Sequence, residues 1–146
     1  MVAAPPGSPF YDARVYLETI TLPARGDARL QGHERLLQER LAEAESAATR
    51  ADGVGLAAAL AAYQAEVDAA TTDAGDDAAL LAHLEEVLAT HTDVLTELAS
   101  RLPDQAAIEH AIDASSKAID KIKNRVPPDH PSHPSGGSQN QGQGPR

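Results

Sequence analysis

Leucine recurs every seven residues through AALLAHLEEVLATHTDVLTELASRL at residues 78–102, and that period limits sharply what the chain can fold into. Leu81, Leu88, Leu95 and Leu102 form one series, and Leu84, His91 and Leu98 form a second between them. Alternating steps of three and four residues place side chains on one stripe of an α-helix, whereas a strand needs steps of two. A helix carrying such a stripe must bury it against other helices. Leu80, Val87 and Val94 widen the stripe, which predicts contact with two neighbours.

The rest of the chain repeats this logic. Ser8 is placed to cap a short first helix over SPFYDARVYLETITL, Pro9 suits its first position, and Asp12 suits its first turn. Tyr11, Val15 and Leu22 form its apolar face. A second helix is expected over 27–51, with Leu30, Leu37, Leu41, Ala44 and Ala48 inward and Glu and Arg filling the opposite face. The glycines of DGVG at 52–55 predict a reversal. A third helix then runs over 56–72 on Leu56, Leu60, Tyr63, Val67 and Ala70, and Asp76 or Asp77 caps the leucine-rich fourth. Pro103 can open a fifth helix, whose stripe is Ile108, Ile112, Ser115, Ile119, Ile122 and Val126. The four basic residues Lys117, Lys121, Lys123 and Arg125 suit the C-terminal end of its dipole.

These segments predict an all-α fold: an antiparallel bundle of four main helices preceded by a short N-terminal helix, with a disordered C-terminal tail. Residues 1–8 read as a linker, 9–126 as the helical domain, and 127–146, rich in Pro, Gly, Ser and Gln, as the tail. Aromatics make up 3 % of the chain and β-branched residues do not cluster, so strands have little to form from.

The net charge of -10 opposes nucleic-acid binding, which needs a dense Lys/Arg field. No run approaches ~18 apolar residues, so no direct membrane insertion by this chain is expected. Without cysteine there is no disulfide, thiol chemistry or cysteine-ligated zinc.

The six histidines do not spell a metal site. There is no Glu-x-x-His and no His-Glu-x-x-His. His83 and His91 stand two helical turns apart, too far for one ion. His83 falls off the leucine stripe toward solvent, His33 and His110 read as surface or boundary residues, and His130 and His133 lie in the tail. His91 alone sits on the stripe. A polar residue there is a register-setting core group, and Ser115 on the fifth helix is its expected partner. A buried neutral His91 has a depressed pKa, so stability should fall as pH drops through about 6.5. No nucleophile elbow, phosphate cradle or carboxylate dyad is evident. The expectation is therefore no enzyme and no cofactor, with His91 and Ser115 as polar core candidates.

One set of residues carries a resemblance. Pro6-Gly7-Ser8-Pro9-Phe10-Tyr11, Glu18 with Leu22, Arg40-Leu41-x-Glu43-Ala44, Ala58-Ala59-Leu60 and Tyr63-x-x-Glu66-Val67 together resemble a family of uncharacterised helical domains common in actinobacterial proteins, over about residues 5–120. Members of that family often lie on the outer side of a membrane span in anti-sigma-factor-like proteins. The resemblance implies an extracytoplasmic interaction or sensing module, partnered by another protein or by its own membrane-anchored remainder. The family assigns no catalytic residues. This chain lacks the membrane helix and the His-x-x-x-Cys-x-x-Cys zinc motif, so it is expected to be either an excised domain or a stand-alone relative. The alternative is a structural or scaffolding bundle, self-associating through an apolar stripe left over after the bundle closes.

Overall fold

The computed structural model describes residues 4–102 and 105–125. Over them the chain forms five α-helices and no strand: α1 (Tyr11–Ile20), α2 (Asp27–Thr49), α3 (Gly53–Ala74), α4 (Ala78–Arg101) and α5 (Ala106–Arg125). The expected tail, together with Pro103 and Val126, lies outside the described residues.

Alanine and leucine supply both the helix propensity and the core. Leu81, Leu84, Leu88, Leu95 and Leu98 of α4 are buried, so the heptad stripe faces inward as its spacing predicts. It meets Ile108, Ala111, Ala118 and Ile122 of α5 and the inward faces of α2 and α3. The packing order around the core is not the chain order. α3 packs on α2 and on α5, α4 packs mainly on α5, and α3 and α4 touch little although three residues join them. Arg125 adds a tie at one end, donating through Nη1 to the carbonyls of Thr71 (3.3 Å) and Gly75 (3.1 Å) at the end of α3. The basic end of α5 thus also serves a neighbouring helix terminus.

Two local expectations are corrected. The reversal between α2 and α3 lies one step before the DGVG glycines. Ala51 takes a left-handed conformation (φ 56°), and Asp52 N–H and Ala51 N–H return to the carbonyls of Ala47 and Ala48, the bond pattern of a Schellman cap. Gly53 and Gly55 then fall inside α3, because the Asp52 carboxylate accepts from Gly55 N–H at 2.8 Å and starts the helix early. The second correction is at Ser8, which gives α1 no side-chain cap. Its carbonyl accepts from Tyr11 N–H instead, and α1 begins at Tyr11.

Asp77 caps α4 as its position predicts, accepting from Ala79 and Leu80 N–H at 3.0 and 3.1 Å. Residues 4–8, read above as linker, pack back on the domain with Ala4 buried. The α1–α2 corner closes on Gly32, where an added Cβ would come within 2.5 Å of Leu22 Cδ2. That close approach holds the α1–α2 connection against α2, next to the site.

Candidate functional site

α1 is amphipathic twice over. Its inner face carries the buried Tyr11, buried Leu22 follows in the connection to α2, and between them Arg14 and Glu18 reach toward α2. Waiting on α2 is Arg40, only 1 % exposed. A guanidinium is always charged, so its burial demands partners on every side. Arg40 has them: it pairs with Glu18, donates to Glu43 Oε2 at 2.7 Å, and lies 5.7 Å over the Tyr11 ring. Tyr11 donates its hydroxyl to Glu43 Oε2 at 2.6 Å, and Arg14 closes the junction by pairing with Glu43.

Electrostatics follow from this geometry. Burial opposes charge on Glu43, yet the hydrogen bonds from Tyr11, Arg14 and Arg40 outweigh it and hold the carboxyl below its ordinary range. Burial and the neighbouring Glu43 push the Tyr11 hydroxyl up to about 12, so it stays a donor. Burial also opposes charge on Arg40, but Glu43 more than offsets this and its pKa is raised.

A second junction joins α2 to α3. His33, expected at the surface or boundary, is fully buried, and this corrects the sequence reading. Its Nδ1 lies 2.5 Å from Glu66 Oε1 and its Nε2 lies 2.7 Å from Asp73 Oδ2. Two carboxylates, one at each ring nitrogen, favour the imidazolium, in which both nitrogens donate. Burial lowers the His33 pKa, but the bonds and attraction from Glu66 and Asp73 win and raise it. Burial works on Asp73 in the opposite sense, and the bonds from His33 and Arg29 lower its pKa on balance. Asp73 also accepts from Arg29 Nε at 2.5 Å, and Thr19 of α1 reaches Glu66 at 3.5 Å, which links the two junctions. An open cleft of about 450 Å³, lined by Arg25, Arg29, His33, Asp73, Asp77 and Leu80, gives solvent access to the Asp73 side.

The sequence-derived candidates form a third, separate cluster. His91 is 9 % exposed and Ser115 is fully buried, but they do not bond each other. Tyr63 stands between them, its hydroxyl 3.1 Å from Ser115 Oγ and 3.4 Å from His91 Nδ1. Burial alone lowers the His91 pKa, and burial lifts the Tyr63 hydroxyl to about 12 despite the opposing Ser115 bond. Of the other histidines, His83 is exposed and pairs with Glu34 at 2.8 Å, and His110 is exposed. His130 and His133 lie outside the described residues.

Among the described residues, no three His, Asp or Glu groups are placed to hold a metal. The reason at His33 is plain: its carboxylates lie at opposite nitrogens and cannot converge on one ion. No described helix is long and apolar enough to cross a membrane.

Sequence reasoning missed His33 and Arg40, though the signal was present. Leu30, His33, Leu37, Arg40, Ala44 and Ala47 step by three and four along α2, and all six are buried. Tyr11, Glu18, Arg40 and Glu43, which helped carry the family resemblance, are the residues that meet at the first junction.

Comparison with curated proteins and with solved structures gives no match. A family model described as a domain of unknown function (DUF5667) matches residues 3–105, more than half of the chain, taking in α1–α4 and ending before α5. The chain belongs to the DUF5667 family.

Proposed function

We propose that this chain is a non-catalytic interaction or sensing module, the extracytoplasmic domain of an anti-sigma-factor-like regulatory membrane protein. The observation that carries the reading is the two-sided character of α1. Ion pairs around the buried Arg40 clamp its inner face to α2, while its outer face leaves Phe10, Tyr16, Leu17 and Ile20 exposed by 72, 66, 56 and 56 %. Among the described residues Val54 is the other large apolar side chain left exposed, and a contiguous apolar patch such as that of α1 is often a docking site.

The polar clusters support binding over catalysis. His33 has both ring nitrogens taken by carboxylates, and the Tyr63 hydroxyl is shared between His91 and Ser115. Each cluster is used up in holding helices together. The regulatory and extracytoplasmic parts of the reading rest on the family resemblance. In the same reading α2–α5 run alternately up and down as a four-helix antiparallel bundle, which their short connections favour.

A scaffolding role is the second reading, favoured by the same open face of α1. Deleting the coding region for residues 4–125 in its chromosomal context, followed by transcript mapping, separates the two. Regulation predicts altered transcription from promoters sharing one recognition element. Unchanged transcripts would remove the regulatory role and leave the scaffold.

A further inference from the structure

We propose that the His33 junction is a proton-operated catch: the protonated ring holds the last turn of α3 against α2, and the neutral ring releases Asp73 and opens the cleft beside it. The inference stands apart from the regulatory reading above. It names a condition to which the fold responds, the proton concentration.

The catch is one buried ring between two unequal carboxylates. His33 is fully buried, with Glu66 Oε1 2.5 Å from Nδ1 and Asp73 Oδ2 2.7 Å from Nε2. A neutral imidazole carries a single N–H, so it donates to one carboxylate and turns a lone pair on the other. Glu66 keeps the N–H. It is 4 % exposed and its bond from Thr19 Oγ1 is long at 3.5 Å, so parting from the ring would leave a buried charge poorly paired. Asp73 is the one that can leave. Its side chain is 31 % exposed on the open cleft, and Arg29 Nε stays with it.

The surrounding charges leave the imidazole proton to decide. Around the ring and its partners stand Glu66 and Asp73 from α3, Arg29 from α2, Arg25 from the connection before α2, and Asp77 at the start of α4. α1 reaches the cluster through Thr19, and Arg125 of α5 holds the carbonyls of Thr71 and Gly75. Burial opposes charge on Asp73, but His33 and Arg29 hold its pKa below the ordinary value, so it is ionised at neutral and alkaline pH. Burial opposes charge on His33 too, and the bonds and attraction of Glu66 and Asp73 prevail. Release therefore comes above the ordinary histidine value of 6.5. The catch is shut below that value and opens as pH rises through the folded one.

The movement is local. Arg125 fastens the same end of α3 to α5, and Arg29 holds Asp73 on a long, flexible stem. The bundle stays closed while the cleft widens over Leu30 and Ala74, which are buried in the shut state.

Nuclear magnetic resonance of the whole chain from about pH 6 to 10 tests this. The His33 ring should titrate, and the amides of Ala74, Asp77 and Leu80 should shift with the same midpoint. Those of Leu56 and Ala59, at the other end of α3, should stay still. Asp73→Asn supplies the second arm. A side-chain amide accepts from a ring N–H or donates to a bare ring nitrogen, so it pairs with either form of His33. In that variant the ring should still titrate against Glu66, and the shifts at Ala74, Asp77 and Leu80 should vanish. A His33 ring whose charge does not change over the range overturns the proposal. So does a titration that leaves Ala74, Asp77 and Leu80 still, or that moves Leu56 and Ala59 equally. Wild-type shifts in Asp73→Asn would overturn it as well, since the turn would then move without the catch.

Discussion

His33 of α2 and Glu66 of α3 meet at 2.5 Å in the interior, and Asp73 closes on the other ring nitrogen at 2.7 Å. Because the folded pKa of His33 is raised, its contribution to stability is complete below the unfolded value of about 6.5 and is lost as pH rises through the folded value. Denaturant midpoints at stepped pH should show wild-type stability declining on the alkaline side. His33→Gln should be less stable at pH 6 by about 3 kcal/mol, since Glu66 stays buried with a weaker partner, and its alkaline decline should be flatter. A wild-type profile parallel to that of His33→Gln would contradict the charged clamp.

His91 acts with the opposite sign. Its folded pKa is lowered by burial, so its contribution is present above about pH 6.5 and is lost as pH falls toward the folded value. His91→Leu should flatten the loss of stability between about pH 7 and 5, read from thermal melts across that range. An unchanged acid limb would place His91 in solvent.

The α2–α3 cap offers a stabilising change. Ala51 is exposed at φ 56°, a conformation that costs an L-residue about 1 kcal/mol and glycine almost nothing. Ala51→Gly should raise stability by up to ~1 kcal/mol, seen as a higher denaturant midpoint at constant slope. A fall in midpoint would mean that the left-handed cap is not formed.

The helices were readable because three-and-four spacing is a local property. Leu84, Leu88, Leu95 and Ile108 go inside wherever the rest of the bundle packs. The same arithmetic reaches His33 and Arg40 only if polar residues are admitted to the stripe, and what justifies admitting them is a set of partners on other helices. Glu18, Glu66 and Asp73 become those partners only after α1 and α3 have packed on α2, and no spacing along α2 reports this. His91 was found because leucines surround it, but Tyr63, the residue that joins it to Ser115, looked like one more apolar position. At DGVG the glycines suggested a turn, and the Asp52 cap overrode them.

The Arg40 junction should be the most sensitive point of the fold. Arg40→Met leaves only the part-exposed Arg14 to neutralise Glu18 and Glu43, at a cost of about 3 kcal/mol. Tyr11→Phe removes one hydrogen bond to Glu43 and should cost about 1–2 kcal/mol. Chemical denaturation of both variants checks the ranking, and a milder effect at Arg40 than at Tyr11 would reverse the assigned roles.

The account turns on α1 being fastened from its inner side by ion pairs to the buried Arg40 and to Glu43 while its outer face stays open. Hydrogen exchange of the α1 amides, followed by mass spectrometry in the wild type and in Arg40→Met under conditions where both are folded, tests this most directly. The predicted result is protection of residues 14–20 in the wild type, lost in the variant, with α4 and α5 unchanged. Rapid exchange of α1 in the wild type, or equal protection in both proteins, would contradict it.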